Sequence, residues 1–177
     1  MGEAPVVQTE RLTLRPFQAA DADAQAAMMG DAEVMRHLGG QALSREDAWR
    51  KLLNGHACWS LLGFGYWAVE RRSDGAMIGQ VGFADFQRGM EPSIGGLPEM
   101  GWLFAREAAG QGYATEAALA GLAWIDEALR PPETVAIIGP DNHASIRVAE
   151  KCGFDAREPA LYRGESILLF RRGGAAA

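Results

Sequence analysis

The sequence predicts a single domain of the α/β (α+β) class, and three observations carry that expectation. The chain has 177 residues, 48% hydrophobic and 23% charged, which suits one domain with a sizeable core. Short β-branched or aromatic runs alternate with longer runs of helical periodicity. Glu99–Ala105, Ala114–Arg130 and Thr134–Ile138 read in succession as strand, helix and strand. Such a βαβ crossover is right-handed and makes its two strands parallel.

Taken in order, "VVQTERLTLRPF" alternates at Leu12 and Leu14 and reads as the first strand. Asp21 is an N-cap for a helix through Met29, and "DAEVMRHLGG" is a short turn or helix stopped by Gly39 and Gly40. In "SREDAWRKLL", Ser44 and Asp47 resemble a capping box. Trp49, Leu52 and Leu53 give that helix one apolar face, and it continues past Gly55 to Leu62 with Gly63 as its end. "YWAVERR" and "AMIGQVGFADF" flank Ser73-Asp74-Gly75, a hairpin signal. "RGMEPSIGGLP" reads as a loop and "EMGWLFA" as a strand. The long helix ends at Pro131-Pro132. "ETVAIIG" is a strand, and "NHASIRVAEKC" is a helix capped by Asn142 and stopped by Gly153. Strands around "FDARE" and "SILLF" follow, and "RRGGAAA" (171–177) reads as a frayed tail.

Several function classes are disfavoured. A net charge of −6 argues against a nucleic-acid surface, which needs clustered Lys and Arg. Cys58 and Cys152 form no CxxC, and His37, His56 and His143 have no ligand spacing, so neither a disulfide framework nor a metal is expected. The N-terminus lacks the apolar core of a signal peptide, and no apolar run is long enough to span a membrane. A cytoplasmic location is the resulting expectation.

The stretch that points to function is "AREAAGQGYATEA", Ala105–Ala117. It places the most flexible backbone, Gly110 and Gly112, directly before one of the best helices. Helix N-termini expose unpaired N–H groups, which favour an anion, and glycine lets that anion approach closely. The pattern is neither GxGxxG, because Thr115 stands at the third glycine, nor GxxxxGK[ST]. The turn lies at the carboxyl end of a strand, where open α/β sheets bind ligands.

"TERLTLRPF", "DAEVMRHLGG", "GFGYWAV", "PEMGWLF", "GQGYATEA" and "NHASIRVAEKCGF" occur in this order. Together, over about Thr9 to Phe170, they resemble the GNAT superfamily of acetyl-CoA-dependent N-acetyltransferases, and most closely its ribosomal-protein N-terminal (alanine/serine) acetyltransferase branch. The resemblance implies a mixed, curved sheet of about seven strands with about four helices. It also implies acetyl-CoA as co-substrate, held between two splayed central parallel strands. One departure stands out: the superfamily's Gln/Arg before the glycines is Ala109 here. The pyrophosphate would then rest on the backbone of Gly110, Gln111, Gly112, Tyr113, Ala114 and Thr115, with Arg106 as a helper. The arginines of "RLTLR" read as solvated strand residues.

Acetyl transfer to an amine needs a neutral amine, a stabilised oxyanion and a proton or donor for the departing thiolate. At pH 7 deprotonation costs roughly 4.6 kcal/mol for a lysine and ~1 kcal/mol for an α-amine. By resemblance Glu99 is the base, against a competing reading as an exposed strand-edge carboxylate. Ser145 is the donor to sulfur, against a competing reading as a helix-start residue. Asn142 would contact the pantetheine arm or a bridging water, and a backbone N–H near Leu103 would polarise the thioester carbonyl. Trp67, Trp102 and Trp124 read as core or pocket wall, and Trp49 or Trp59 as shaping the acceptor site. The expected activity is acetylation of a primary amine by direct attack, with a protein N-terminal α-amine foremost. Alternatives are a small amine (polyamine, amino acid, antibiotic) or a non-catalytic acetyl-CoA sensor. Neither nucleic acid nor membrane is an expected partner, and the oligomeric state stays open, a homodimer included.

Overall fold

The computed structural model describes residues 2–174. β1 (Val7–Gln8) and β2 (Leu12–Arg15) open the chain, with Leu12 and Leu14 fully buried between outward Thr13 and Arg15. α1 (Ala22–Met29) starts where expected, but Asp21 does not cap it. The Asp21 carboxylate instead accepts from the Gln18 N–H and from the Arg15 guanidinium. α2 is the short helix Ala32–Met35, and its cap is Asp31. α3 spans Arg45–Leu62. The Ser44 hydroxyl accepts from the Asp47 N–H at its start, and Gly63 ends it in the left-handed region at φ 77°. β3 (Tyr66–Arg71) and β4 (Ala76–Ala84) form the expected hairpin, with a bulge after Val69.

β5 (Met90–Glu91) corrects the loop expected there. It pairs with Leu161 and Tyr162, about seventy residues away, so no local pattern reveals it. β6 (Glu99–Phe104), α4 (Tyr113–Ala128) and β7 (Glu133–Ile138) form the crossover unit. α5 (His143–Lys151) follows, capped by Asn142, and then β8 (Ala156–Tyr162) and β9 (Glu165–Gly173). β9 corrects the expected tail. Arg171 reaches Glu133 and Glu158, and Arg172 reaches Asp126, so both arginines are held in the sheet. Residues 175–177 lie outside the described residues.

Among the described residues there are thus nine strands and five α-helices, against about seven and four expected. The additions are two-residue β1 and β5 and four-residue α2. All strands join one sheet in the order β1-β2-β3-β4-β6-β7-β9-β8-β5. α4 and α5 cover one face, where Ala117, Leu122 and Ile125 meet Trp67, Val81, Phe83 and Met100. α1, α2 and α3 cover the other, where Met28, Met29, Met35 and Ala48 meet Leu103, and Leu52 meets Phe17 and Ala68. Each fully buried Leu or Phe in these layers contributes about 1.5–3 kcal/mol.

One irregularity organises the molecule. β4 and β6 pair over six residues, and so do β7 and β9. Among the described residues the only parallel pair, β6 and β7, meets at Glu99↔Val135 alone. Beyond that point the two central strands part, and the sheet opens toward their carboxyl ends.

Candidate active site

The turn after β6 and the start of α5 after β7 face this opening from its two lips. Gly110 and Gly112 adopt φ 74° and 82°, a region side chains resist, so the glycines are required by the turn. Among the described residues no side chain caps α4. Its first intrahelical donor is the Glu116 N–H, bonded to the Gly112 carbonyl at 3.0 Å. The amides of Tyr113, Ala114 and Thr115 therefore lack helical partners and gather positive potential at the helix start. A Cβ on Gly110 would meet nothing within 4 Å, so the backbone there is open to approach. These are the features an anionic diphosphate requires. The Gln111 side chain folds back to donate to the Glu107 carbonyl at 2.7 Å, which leaves only its backbone on the open side of the turn.

Arg106 is drawn elsewhere. It pairs with Asp31 and lines a cavity of about 140 Å³ with α1 and α2. The cation beside the turn is Arg11, which stays exposed, as read for the "RLTLR" arginines, and also bonds the turn. Its Nη1 donates to the Gln111 carbonyl at 2.9 Å and its Nε to Glu116 at 2.7 Å. Arg15 is likewise engaged, with Asp21 and Glu70.

Leu103 needs a similar correction. The register Gln80↔Leu103 and the bond from the Ala105 N–H to the Ile78 carbonyl place the odd-numbered amides of β6 toward β4. By alternation the amides of Trp102 and Phe104 point into the opening. A donor near Leu103 is present, but it comes from the residues flanking it.

Glu99 begins β6 and is 4% exposed, in an interior strand, so it is no exposed strand-edge carboxylate. Its two oxygens accept from Arg88 Nε at 2.6 Å and Nη2 at 2.8 Å. The guanidinium lies 4.6 Å from the Phe86 ring centroid and 4.8 Å from that of Tyr162, which fix it in place. On the same face, Tyr66 reaches over β6. A Cβ on Gly101 would stand 2.3 Å from its hydroxyl, so glycine there makes room for the phenol. Burial and the Glu99 charge push the Tyr66 phenol above its ordinary range, so it keeps its proton well beyond neutral pH. Sequence reading identified neither Arg88, which comes from the loop after β4, nor Tyr66, which comes from β3 across β4, because the fold alone brings them beside β6.

Ser145 is half-buried in the first turn of α5. Its N–H donates to Asn142 Oδ1 at 3.2 Å, so Asn142 spends its side chain on capping. The Ser145 hydroxyl is not needed for that cap. Of the tryptophans, Trp59 is core: it is 3% exposed and packs edge-on against Trp67 and Trp124. Trp49 stays beside Tyr66 on the α3 face. Among the described residues, no group of three or more His, Cys, Asp or Glu could hold a metal ion, and no helix is long and apolar enough to cross a membrane.

Comparison with known proteins agrees with this geometry. Residues 11–155 match the family model for the acetyltransferase (GNAT) domain. The uncharacterised Bacillus subtilis protein YkkB is 33% identical over 173 residues, covering 93% of both chains. An acetyltransferase of Agrobacterium tumefaciens has a TM-score of 0.82 at 32% identity, covering 95% of this chain and 94% of that one. RimL, a ribosomal L7/L12 α-N-protein acetyltransferase solved with coenzyme A, shares the fold at 15% identity, with a TM-score of 0.75 over 98% of this chain and all of that one. On the family match and these near-full-length relatives, the chain belongs to the GNAT acetyltransferases.

Proposed function

We propose that this protein transfers the acetyl group of acetyl-CoA to a primary amine in a ternary complex, and that the acceptor is an α-amine at a peptide or protein N-terminus. The observation that carries the reading is the single Glu99↔Val135 pair, beyond which β6 and β7 part, with free helix-start amides on one lip and Ser145 on the other. The Gly110–Thr115 amides would hold the pyrophosphate. The Trp102 and Phe104 amides would hold the thioester oxygen as negative charge builds on it. The Ser145 hydroxyl would donate a hydrogen bond to the departing sulfur, stabilising the thiolate as the carbon–sulfur bond breaks and the carbon–nitrogen bond forms, and the released thiolate would take its proton from solvent. The amine's proton would go to Glu99, directly or through water.

An α-amine costs ~1 kcal/mol to deprotonate at pH 7, against roughly 4.6 kcal/mol for a lysine, so it asks less of a carboxylate whose two oxygens already accept from Arg88. RimL, named as an α-N-protein acetyltransferase, lends support at the level of the fold. The test is a thiol-release assay with acetyl-CoA against N-terminal peptides, polyamines, amino acids and aminoglycosides. Turnover of peptides with a free N-terminus, lost on N-terminal blocking, is the expected result. Turnover of lysine side chains or polyamines alone would overturn the assignment.

A further inference from the structure

We propose that Arg11 is a positioning residue for the Gly110–Thr115 turn, fixing from behind the amides that receive the pyrophosphate. The inference rests on the reading of that turn as the diphosphate site. Gly110 and Gly112 give the turn latitude, and α4 has no side-chain cap of its own. From within, the turn is held by the Gln111 side chain on the Glu107 carbonyl. Its further side-chain restraint comes from the segment that opens β2, about a hundred residues earlier. The Arg11 guanidinium donates to the Gln111 carbonyl at 2.9 Å and to Glu116 Oε2 from Nε at 2.7 Å and Nη2 at 2.6 Å. Glu116 Oε1 also accepts from the Arg11 N–H at 2.9 Å and the Thr9 hydroxyl at 2.6 Å. The guanidinium lies 4.6 Å from the Tyr113 ring centroid, the first residue of α4.

The Gln111 contact is the decisive one. A trans peptide directs its C=O and the following N–H to opposite sides. With the Gln111 carbonyl held by Arg11, the Gly112 N–H must point away from Arg11, to the outer side of the turn. Without that bond, a peptide preceding a glycine can flip and bury the donor.

The test is calorimetric titration of CoA into wild type, R11K, R11Q, E116Q and G112D, with thermal unfolding of each. R11Q is expected to weaken CoA binding on the order of tenfold, the scale of one lost charge-assisted hydrogen bond. R11K, which keeps the charge but not the fork, should fall between. The KM for acetyl-CoA should rise with Kd, while the KM for the amine stays put. R11Q or R11K binding CoA as wild type does, with only the melting temperature lowered, overturns the proposal. If R11Q fails to fold, R11K and E116Q decide between the two outcomes by the same comparison of CoA affinity with melting temperature. If G112D also leaves CoA binding unchanged, the turn is not the diphosphate site and the underlying reading falls with it.

Discussion

Replacing Gly112 separates backbone strain from charge at the turn. At φ 82° any L side chain is strained by roughly 1–2 kcal/mol. For a domain of this size each kcal/mol lowers Tm by about 2–4 °C, so Gly112→Ala should melt roughly 2–8 °C early. Gly112→Asp carries similar strain and adds a negative charge beside the expected diphosphate. Two unit charges about 4 Å apart repel by ~1 kcal/mol in water and ~4 kcal/mol at an effective dielectric of 20. Gly110, Gln111 and Gly112 are all exposed, and the Arg11 Nη2 lies 3.4 Å from where the new Cβ would stand, so both screening and partial neutralisation apply. The penalty should then be about 1–2 kcal/mol, or roughly 5–30-fold in Kd. Titration of CoA into wild type, Gly112→Ala and Gly112→Asp measures it, with melting curves reporting the strain. An Asp variant that melts early but binds CoA at wild-type strength would refute the reasoning.

Other expectations follow from the same geometry. Glu99→Gln should lower turnover at neutral pH more than it changes CoA affinity, with partial rescue at high pH as the amine deprotonates by itself. A pH–rate profile parallel to wild type would leave Glu99 as no more than the partner of Arg88. Ser145→Ala should cut turnover on the order of 10²-fold while folding and CoA binding persist. Lost stability with intact specific activity would make Ser145 only a helix-start residue. Burial pushes the Cys152 thiol from an ordinary 9.0 up to about 11, with Arg172 opposing. The native state therefore holds that proton longer than the unfolded chain. The associated stability is complete below about pH 9 and declines as pH rises toward about 11. Denaturant titrations between these limits should show that decline in wild type and lack it in Cys152→Ala, and equal slopes in the two would count against the burial argument.

The sequence alone determined what depends on near neighbours. Ser44 and Gly63 bound α3, Asn142 and Gly153 bound α5, and Asp74-Gly75 turns the β3–β4 hairpin, because caps and turns are settled by a few adjacent backbone groups. The glycines before α4 and the order of the motifs were legible for the same reason, and they pointed to the candidate site. Tertiary structure alone decided what depends on contacts between separate elements. The place of β5 beside β8, the bidentate hold of Arg88 on Glu99 and the direction of the amides flanking Leu103 each need a partner many residues away. Arg106 and Arg11 make the same point for charge. Arg106 lies four residues from Gly110 yet turns to Asp31, whereas Arg11, about a hundred residues distant, lies against the turn. Hydrogen bonds and ion pairs act over a few ångströms of space, and only the folded chain determines which distant residues come that close.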